Sequence, residues 1–236
     1  MGETRQRFHA QLRALEDDLQ QTAVLVERLL SMALEGLSAG DVGVCEEVVA
    51  GDDAVDRRCL ELEQRIVSLV ALQTPVASDL RLLTGLLHIN LHLERIADQA
   101  VNLAKITCLA DGLPPNPKVL QGLEEMGERA LAMVGTAMGA LAGRDLALAH
   151  GLARLDDAVD ALNRGMLERV LAAAGDAGML EWGVRMYVVA RQIERIGDNA
   201  VDIGEQVAFI VSGQFVEFTD ASHPELEHPE LLTADS

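Results

Sequence analysis

The sequence predicts an all-α protein built from two tandem, sequence-related three-helix bundles, with six long helices. Apolar residues make up 49 % of the chain but aromatic residues only 3 %, and such aliphatic side chains favour helices. These residues recur at alternating steps of four and three, the periodicity of helices in a bundle. The segment DDAVD occurs at 52–56 and again at 156–160, and LERIADQAV at 93–101 returns as IERIGDNAV at 193–201. A unit of about half the chain is therefore present twice.

The first bundle spans residues 1–112 and contains three helices. The first helix ends near a turn at 38–40, the second covers about 41–72, and the third covers about 75–110. Thr74 precedes a proline and therefore resists the helical conformation, whereas Pro75 is tolerated in a first helical turn. The apolar seams of the three helices are Phe8, Leu12, Leu15, Leu19, Thr22, Val26, Leu29 and Ala33; then Val48, Val55, Cys59, Leu62, Ile66 and Leu69; then Leu82, Leu86, Ile89, Leu93, Ile96, Ala100 and Leu103.

A proline-rich linker, residues 113–117, separates the first bundle from the second. The second bundle spans residues 118–213, and its helices are predicted at about 118–142, 145–174 and 179–212. The sequence AAGDAG at 173–178 takes the place of the proline turn of the first unit. The last segment, 214–236, is acidic and lacks apolar periodicity, so we expect a disordered tail.

The charge of the chain limits its partners. Asp and Glu exceed Lys and Arg by 38 to 19, which gives a net charge of -19. Direct nucleic-acid binding is not expected, because it relies on Lys and Arg that neutralise phosphates. The start of the chain lacks the pattern of a signal peptide, and no stretch approaches the roughly 18 apolar residues of a membrane span. We expect a cytoplasmic protein that meets a membrane only indirectly.

Acidic residues spaced by four recur in the repeated segments. Residues four apart are neighbours on one helix face, where like charges repel by a few tenths of a kcal/mol. Counted from the two hairpin turns, the pairs of each unit fall at the same level of two antiparallel helices. Carboxylates that converge in this way suit hard cations, and we expect such sites on the bundle surface. The candidate ligands are Asp52, Asp56, Glu94, Asp98, Asn102, Asp156, Asp160, Glu194, Asp198 and Asp202.

Two other interpretations compete with a cation site. In the first, Arg57, Arg95 and Arg195 neutralise the acidic pairs in ordinary surface ion pairs. In the second, the chain is a di-iron enzyme, but such bundles need Glu-x-x-His motifs on two helices. The one such spacing here, Glu225 to His228, lies in the predicted tail. We therefore expect no enzyme and no organic cofactor.

Several segments of the chain resemble the PhoU family. The turn LQTPVASDLR at 72–81 resembles the turn between the second and third helices of that family. LERIADQAVNLAK at 93–105 and IERIGDNAVDIGEQVAF at 193–209 resemble its signature segments, and the start, MGETRQRFHAQL, resembles its opening. The resemblance covers about 210 residues. Ala97 stands where the signature has glycine, whereas Gly197 keeps it.

The resemblance implies a function. It implies a negative regulator of phosphate uptake and phosphate-starvation signalling, which contacts the cytoplasmic side of a phosphate ABC transporter and a sensor histidine kinase. It also implies metal ions on the acidic pairs, namely iron or zinc, and we regard manganese and magnesium as further candidates. A homodimer through bundle faces is a further expectation. The alternative is a metal-storage or metal-sensing helical bundle, whose phenotype would follow metal supply instead of phosphate.

Overall fold

The computed structural model describes residues 2–173, 175 and 177–218. Within them lie six α-helices, as predicted. The first three are α1 (Gly2–Ala39), α2 (Val42–Gln73) and α3 (Ser78–Leu109). The second three are α4 (Pro117–Gly143), α5 (Leu146–Ala173) and α6 (Ala177–Ser212). Apart from Leu82, which is half-buried, every residue of the three predicted apolar seams is buried.

Polar side chains start three of these helices. The Asp41 carboxylate accepts a hydrogen bond from the Val44 N–H group at the start of α2. Asn116 accepts from two N–H groups at the start of α4, where Pro117 occupies the first turn. Asp145 accepts from the N–H groups of Ala147 and Leu148 in α5. Each side chain satisfies donors that a helix start would otherwise leave without a partner.

The third helix begins later than the sequence predicts. Thr74 has φ 42° and ψ 57°, and Ala77 has φ 50°, so the chain turns sharply between them instead of entering a helix at Pro75. The first helical residue is Ser78. The connection between the bundles also differs slightly from the predicted 113–117, since α3 ends at Leu109 and α4 starts at Pro117.

Two three-helix bundles, α1–α3 and α4–α6, pack side by side. The contact between α3 and α6 joins them, with a smaller contact between α1 and α4. Small residues permit the close approach: a Cβ atom at Gly85 would lie 2.4 Å from Ile210 Cγ1, and one at Gly127 would lie 2.4 Å from Leu34 Cδ2. The buried residues of both bundles form one continuous hydrophobic cluster.

A short C-terminal strap, residues 213–218, follows α6. All of it except Gly213 lies within the predicted tail, yet Phe218 is only 7 % exposed and its N–H group donates to Glu205 Oε1 at 2.7 Å. Phe215 stacks on Phe209 with ring centroids 4.0 Å apart. Residues 214–218 of the predicted tail are thus held to the second bundle mainly at Phe218, and the other residues of that tail lie outside the described residues. No helix in the described part of the chain is long and apolar enough to span a membrane.

Candidate metal centre

Three of the predicted ligands come together in the second bundle. Asp156 and Asp160 lie on adjacent turns of α5, and Asp198 faces them from α6. One carboxylate oxygen of each lies within 4.8 Å of the other two. Oxygen atoms at this separation can bind one hard cation together. No other trio of His, Cys, Asp or Glu among the described residues meets this criterion.

This cluster lies deeper than the sequence suggested. We expected carboxylates on the bundle surface, but Asp156 is 2 % exposed and Asp160 6 %. Gly197 on α6 makes room for Asp156. A Cβ atom at Gly197 would lie 2.5 Å from Asp156 Oδ1, so glycine leaves the space that the buried carboxylate occupies. Burial of a carboxylate is costly unless a charge or hydrogen bonds compensate for it.

Cationic side chains compensate part of this charge. Arg164 Nη1 lies 3.2 Å from Asp160 Oδ2, and Arg191 pairs with Glu194. These partners differ from the arginines that the sequence suggested. Burial raises the pKa of Glu94 and Glu194, and the nearby charges of Arg95 and Arg195 respectively oppose this effect only in part. A cation at the cluster would compete with Arg164 for the carboxylate of Asp160.

The electrostatics of the second bundle favour a bound positive charge. Asp198 stays partly exposed, but the protein around its carboxyl group desolvates it. This desolvation, followed by the charges of Glu194, Asp160 and Asp202, raises the pKa of Asp198 to about 7. Burial also raises the pKa of Glu194, against the opposing effect of Arg191. Near neutral pH a carboxyl group with this pKa is partly protonated, and a positive charge beside it would favour its ionised form.

Asn163 adds a neutral oxygen that the sequence analysis missed. It lies one turn after Asp160 on α5, is 7 % exposed, and donates from Nδ2 to Glu194 Oε1 at 3.3 Å. Its Oδ1 atom has no hydrogen-bond partner among the described residues, and neither does Glu194 Oε2. The sequence pattern does indicate Asn163, because this polar residue stands between Val159 and Met166 at an otherwise apolar seam position.

The predicted ligands of the first bundle are more dispersed. Asp56, Asp98 and Asn102 are exposed, and Asp52 and Glu94 are half-buried. Burial and then the charges of Asp56 and Asp98 raise the pKa of both Asp52 and Glu94. The charges of these acids therefore interact, but the acids do not form the compact trio seen in the second bundle.

Asp202 contacts the first bundle. Its Oδ2 atom lies 3.3 Å from His92 Nδ1, and the same nitrogen lies 2.9 Å from Asn199 Oδ1. His92 is buried between α3 and α6, and the spacing of the acidic pairs does not point to it. Helical periodicity within one bundle gives no information about a contact between two bundles.

A cavity of about 620 Å³ opens beside the cluster, between α6 and the strap. Asp156, Asp198 and Asp202 line one part of it, and Glu205 and Glu217 line another. Glu217 comes from the strap, which has no counterpart after α3. Neither glutamate was among the predicted ligands, because the spacing argument considered only the repeated segments.

Comparison with known proteins extends these observations. A family model described as PhoU domain matches residues 19–107 and again residues 123–207. The phosphate-specific transport system accessory protein PhoU homolog of Synechocystis sp. is 31 % identical over 212 residues, which cover 89 % of this chain and 93 % of the relative. The Clostridium acetobutylicum homolog is 27 % identical over 219 residues, 92 % of this chain and 100 % of the relative. The crystal structure of PhoU from Pseudomonas aeruginosa superposes with a TM-score of 0.83 at 28 % identity, covering 88 % of this chain and 100 % of that one.

Proposed function

The chain belongs to the PhoU family, and from this premise we propose that it is a regulatory accessory protein of phosphate-specific transport that restrains phosphate uptake and phosphate-starvation signalling. The observation that carries the proposal is the double match: both halves of the chain correspond to the family domain. Relatives of nearly the same length are named as accessory proteins of that transport system. The proposed role is regulatory and not catalytic.

We assign the mechanism to protein–protein contact in the cytoplasm. The proposed partners are the cytoplasmic part of the phosphate ABC transporter and a phosphate-responsive sensor histidine kinase. An exposed apolar strip on α6 supports a contact of this kind. Leu180, Val184 and Val188 follow one another at intervals of four and are 40 %, 54 % and 42 % exposed, and exposed apolar patches mark interaction sites. A homodimer through the same face is part of the proposal.

A bound cation would change the charge and the packing of α6, the helix that carries this strip. Asp156, Asp160 and Asp198 would hold it, and oxygen ligands suit iron, manganese or magnesium, with zinc also accepted. The ion would supply positive charge that neutralises the buried carboxylates, and it would link α5 to α6. The buried acids and the Asn163 oxygen support this assignment.

Removal of the gene tests the regulatory role. Without the protein, we expect a phosphate-starvation reporter to be active in phosphate-rich medium, and the full-length gene to restore repression. Normal repression in its absence would refute the proposal. The same strains grown with limiting and excess iron, zinc and manganese test the metal-storage alternative, which predicts a response to metal at constant phosphate.

A further inference from the structure

The two repeats differ at the residue that contacts the buried carboxylate. Gly197 of the second repeat corresponds to Ala97 of the first, within the matched segments IERIGDNAV and LERIADQAV. A methyl group at position 197 would lie 2.5 Å from Asp156 Oδ1 and 3.6 Å from Met133 Cε. A separation of 2.5 Å is shorter than van der Waals contact, so glycine is needed for the observed position of Asp156.

The first repeat has that methyl group. Asp52 corresponds to Asp156 in the repeated DDAVD segment, and it is half-buried where Asp156 is fully buried. We propose that the second repeat alone binds a hard cation tightly, and that alanine at position 97 excludes the first repeat from doing so. This inference rests on the cation-binding part of the proposed function and assigns it to one repeat.

A second observation points to a ligand in the second repeat. Asn163 is more than nine-tenths buried, and its Oδ1 atom has no hydrogen-bond partner in the described part of the chain. A carboxylate can only accept hydrogen bonds, so the amide nitrogen must face Glu194 and the oxygen must face away from it. Asn163 lies one turn after Asp160 on α5, so this oxygen is a further candidate ligand for a cation held by Asp160. The corresponding residue of the first repeat is Cys59, which offers sulfur.

The chemistry of the set defines the ligand class. Asp156, Asp160, Asp198 and Asn163 offer oxygen atoms, the ligands of hard divalent cations such as Mg²⁺ and Mn²⁺. Mn²⁺ is the suitable probe, because its electron paramagnetic resonance signal separates free from bound ion.

Titration of the full chain with Mn²⁺ tests the inference. We expect the wild type to have one tight Mn²⁺ site. G197A should bind Mn²⁺ at that site about tenfold more weakly, or weaker still. G151A is the matched control, since it adds the same methyl group to α5, where nothing lies within 4 Å of it; it should keep the wild-type affinity. Unchanged affinity in G197A would overturn the inference.

A pair of carboxylate variants gives an independent result if G197A fails to fold. D156N should abolish the tight site, whereas D52N should leave it intact, and far-UV circular dichroism checks the fold of both. Two sites of equal Mn²⁺ affinity in the wild type, or equal losses of Mn²⁺ affinity in D156N and D52N, would overturn the single-site inference but not the proposed function. Absence of any bound Mn²⁺, iron or zinc in the wild type would instead refute the cation-binding part of the proposed function.

Discussion

Asp198 retains its proton up to neutral pH because the helices desolvate it and three other carboxylates surround it. Its pKa in the folded protein is about 7, compared with an ordinary value of 3.8. Between these values the folded chain binds more protons than the unfolded chain. The free energy of unfolding therefore falls as the pH rises from about 4 to about 7.

We expect D198N to weaken this pH dependence in metal-free protein. The amide cannot ionise, so the variant should gain stability relative to the wild type as the pH rises towards 7. Urea unfolding with a chelator at pH 5 and pH 7.5 measures the effect. D53N, at an exposed position on α2, is the control. The same difference between the two pH values in D198N and the wild type would contradict the assignment.

Spacing alone located the carboxylates but not their environment. The interval of four placed Asp156 and Asp160 on one face of α5, and the hairpin levels placed Asp198 opposite them. Burial depends on what the facing helix carries at each level, and the space beside Gly197 appears only once α5 and α6 are packed. Asn163 was missed because the spacing argument considered acidic residues alone.

At the scale of elements, the helices were predictable because each has one continuous apolar seam. The exceptions are chain reversals. Thr74 and Ala77 have positive φ angles, so α3 begins only at Ser78. The sequence motif Thr-Pro does not specify this backbone conformation. The strap was missed because Phe215 and Phe218 are too few to form a periodic pattern.

Phe218 should fasten the strap to the second bundle. The centroid of its ring lies 4.6 Å from that of the His150 ring, and a Cβ atom at Gly204 would lie 3.2 Å from its Cε2 atom. F218A should lower the free energy of unfolding by about 2 kcal/mol, the value of burying a large apolar side chain. Phe215 is 79 % exposed, so F215A should cost about 1 kcal/mol at most. Equal losses, measured by urea unfolding, would show that Phe218 is not the anchor.

The whole molecule is expected to unfold as one unit. The helices α3 and α6 share a buried interface, and the His92 ring reaches Asn199 and Asp202 across it. The single tryptophan, Trp182, lies in α6 and reports on the second bundle, whereas circular dichroism reports on both. The two probes should give coincident unfolding curves.

G85V should separate these curves. The added side chain collides with Ile210 and forces α3 away from α6, which should lower the free energy of unfolding by about 1–3 kcal/mol. G139V introduces the same side chain at an exposed position of α4 with nothing within 4 Å and should leave the curves coincident. Coincident curves in G85V, or separate curves in the wild type, would refute the coupling.

The methyl group of Ala97 also bears on how duplicated units diverge within one chain. Replacing glycine by alanine inside a helix favours the helix by up to about 1 kcal/mol, so selection for folding does not oppose alanine at position 97. At position 197 the same change displaces a buried carboxylate. Alanine at position 97 is thus compatible with the fold of the first repeat. Position 197 requires glycine because a methyl group there would collide with the buried carboxylate of Asp156.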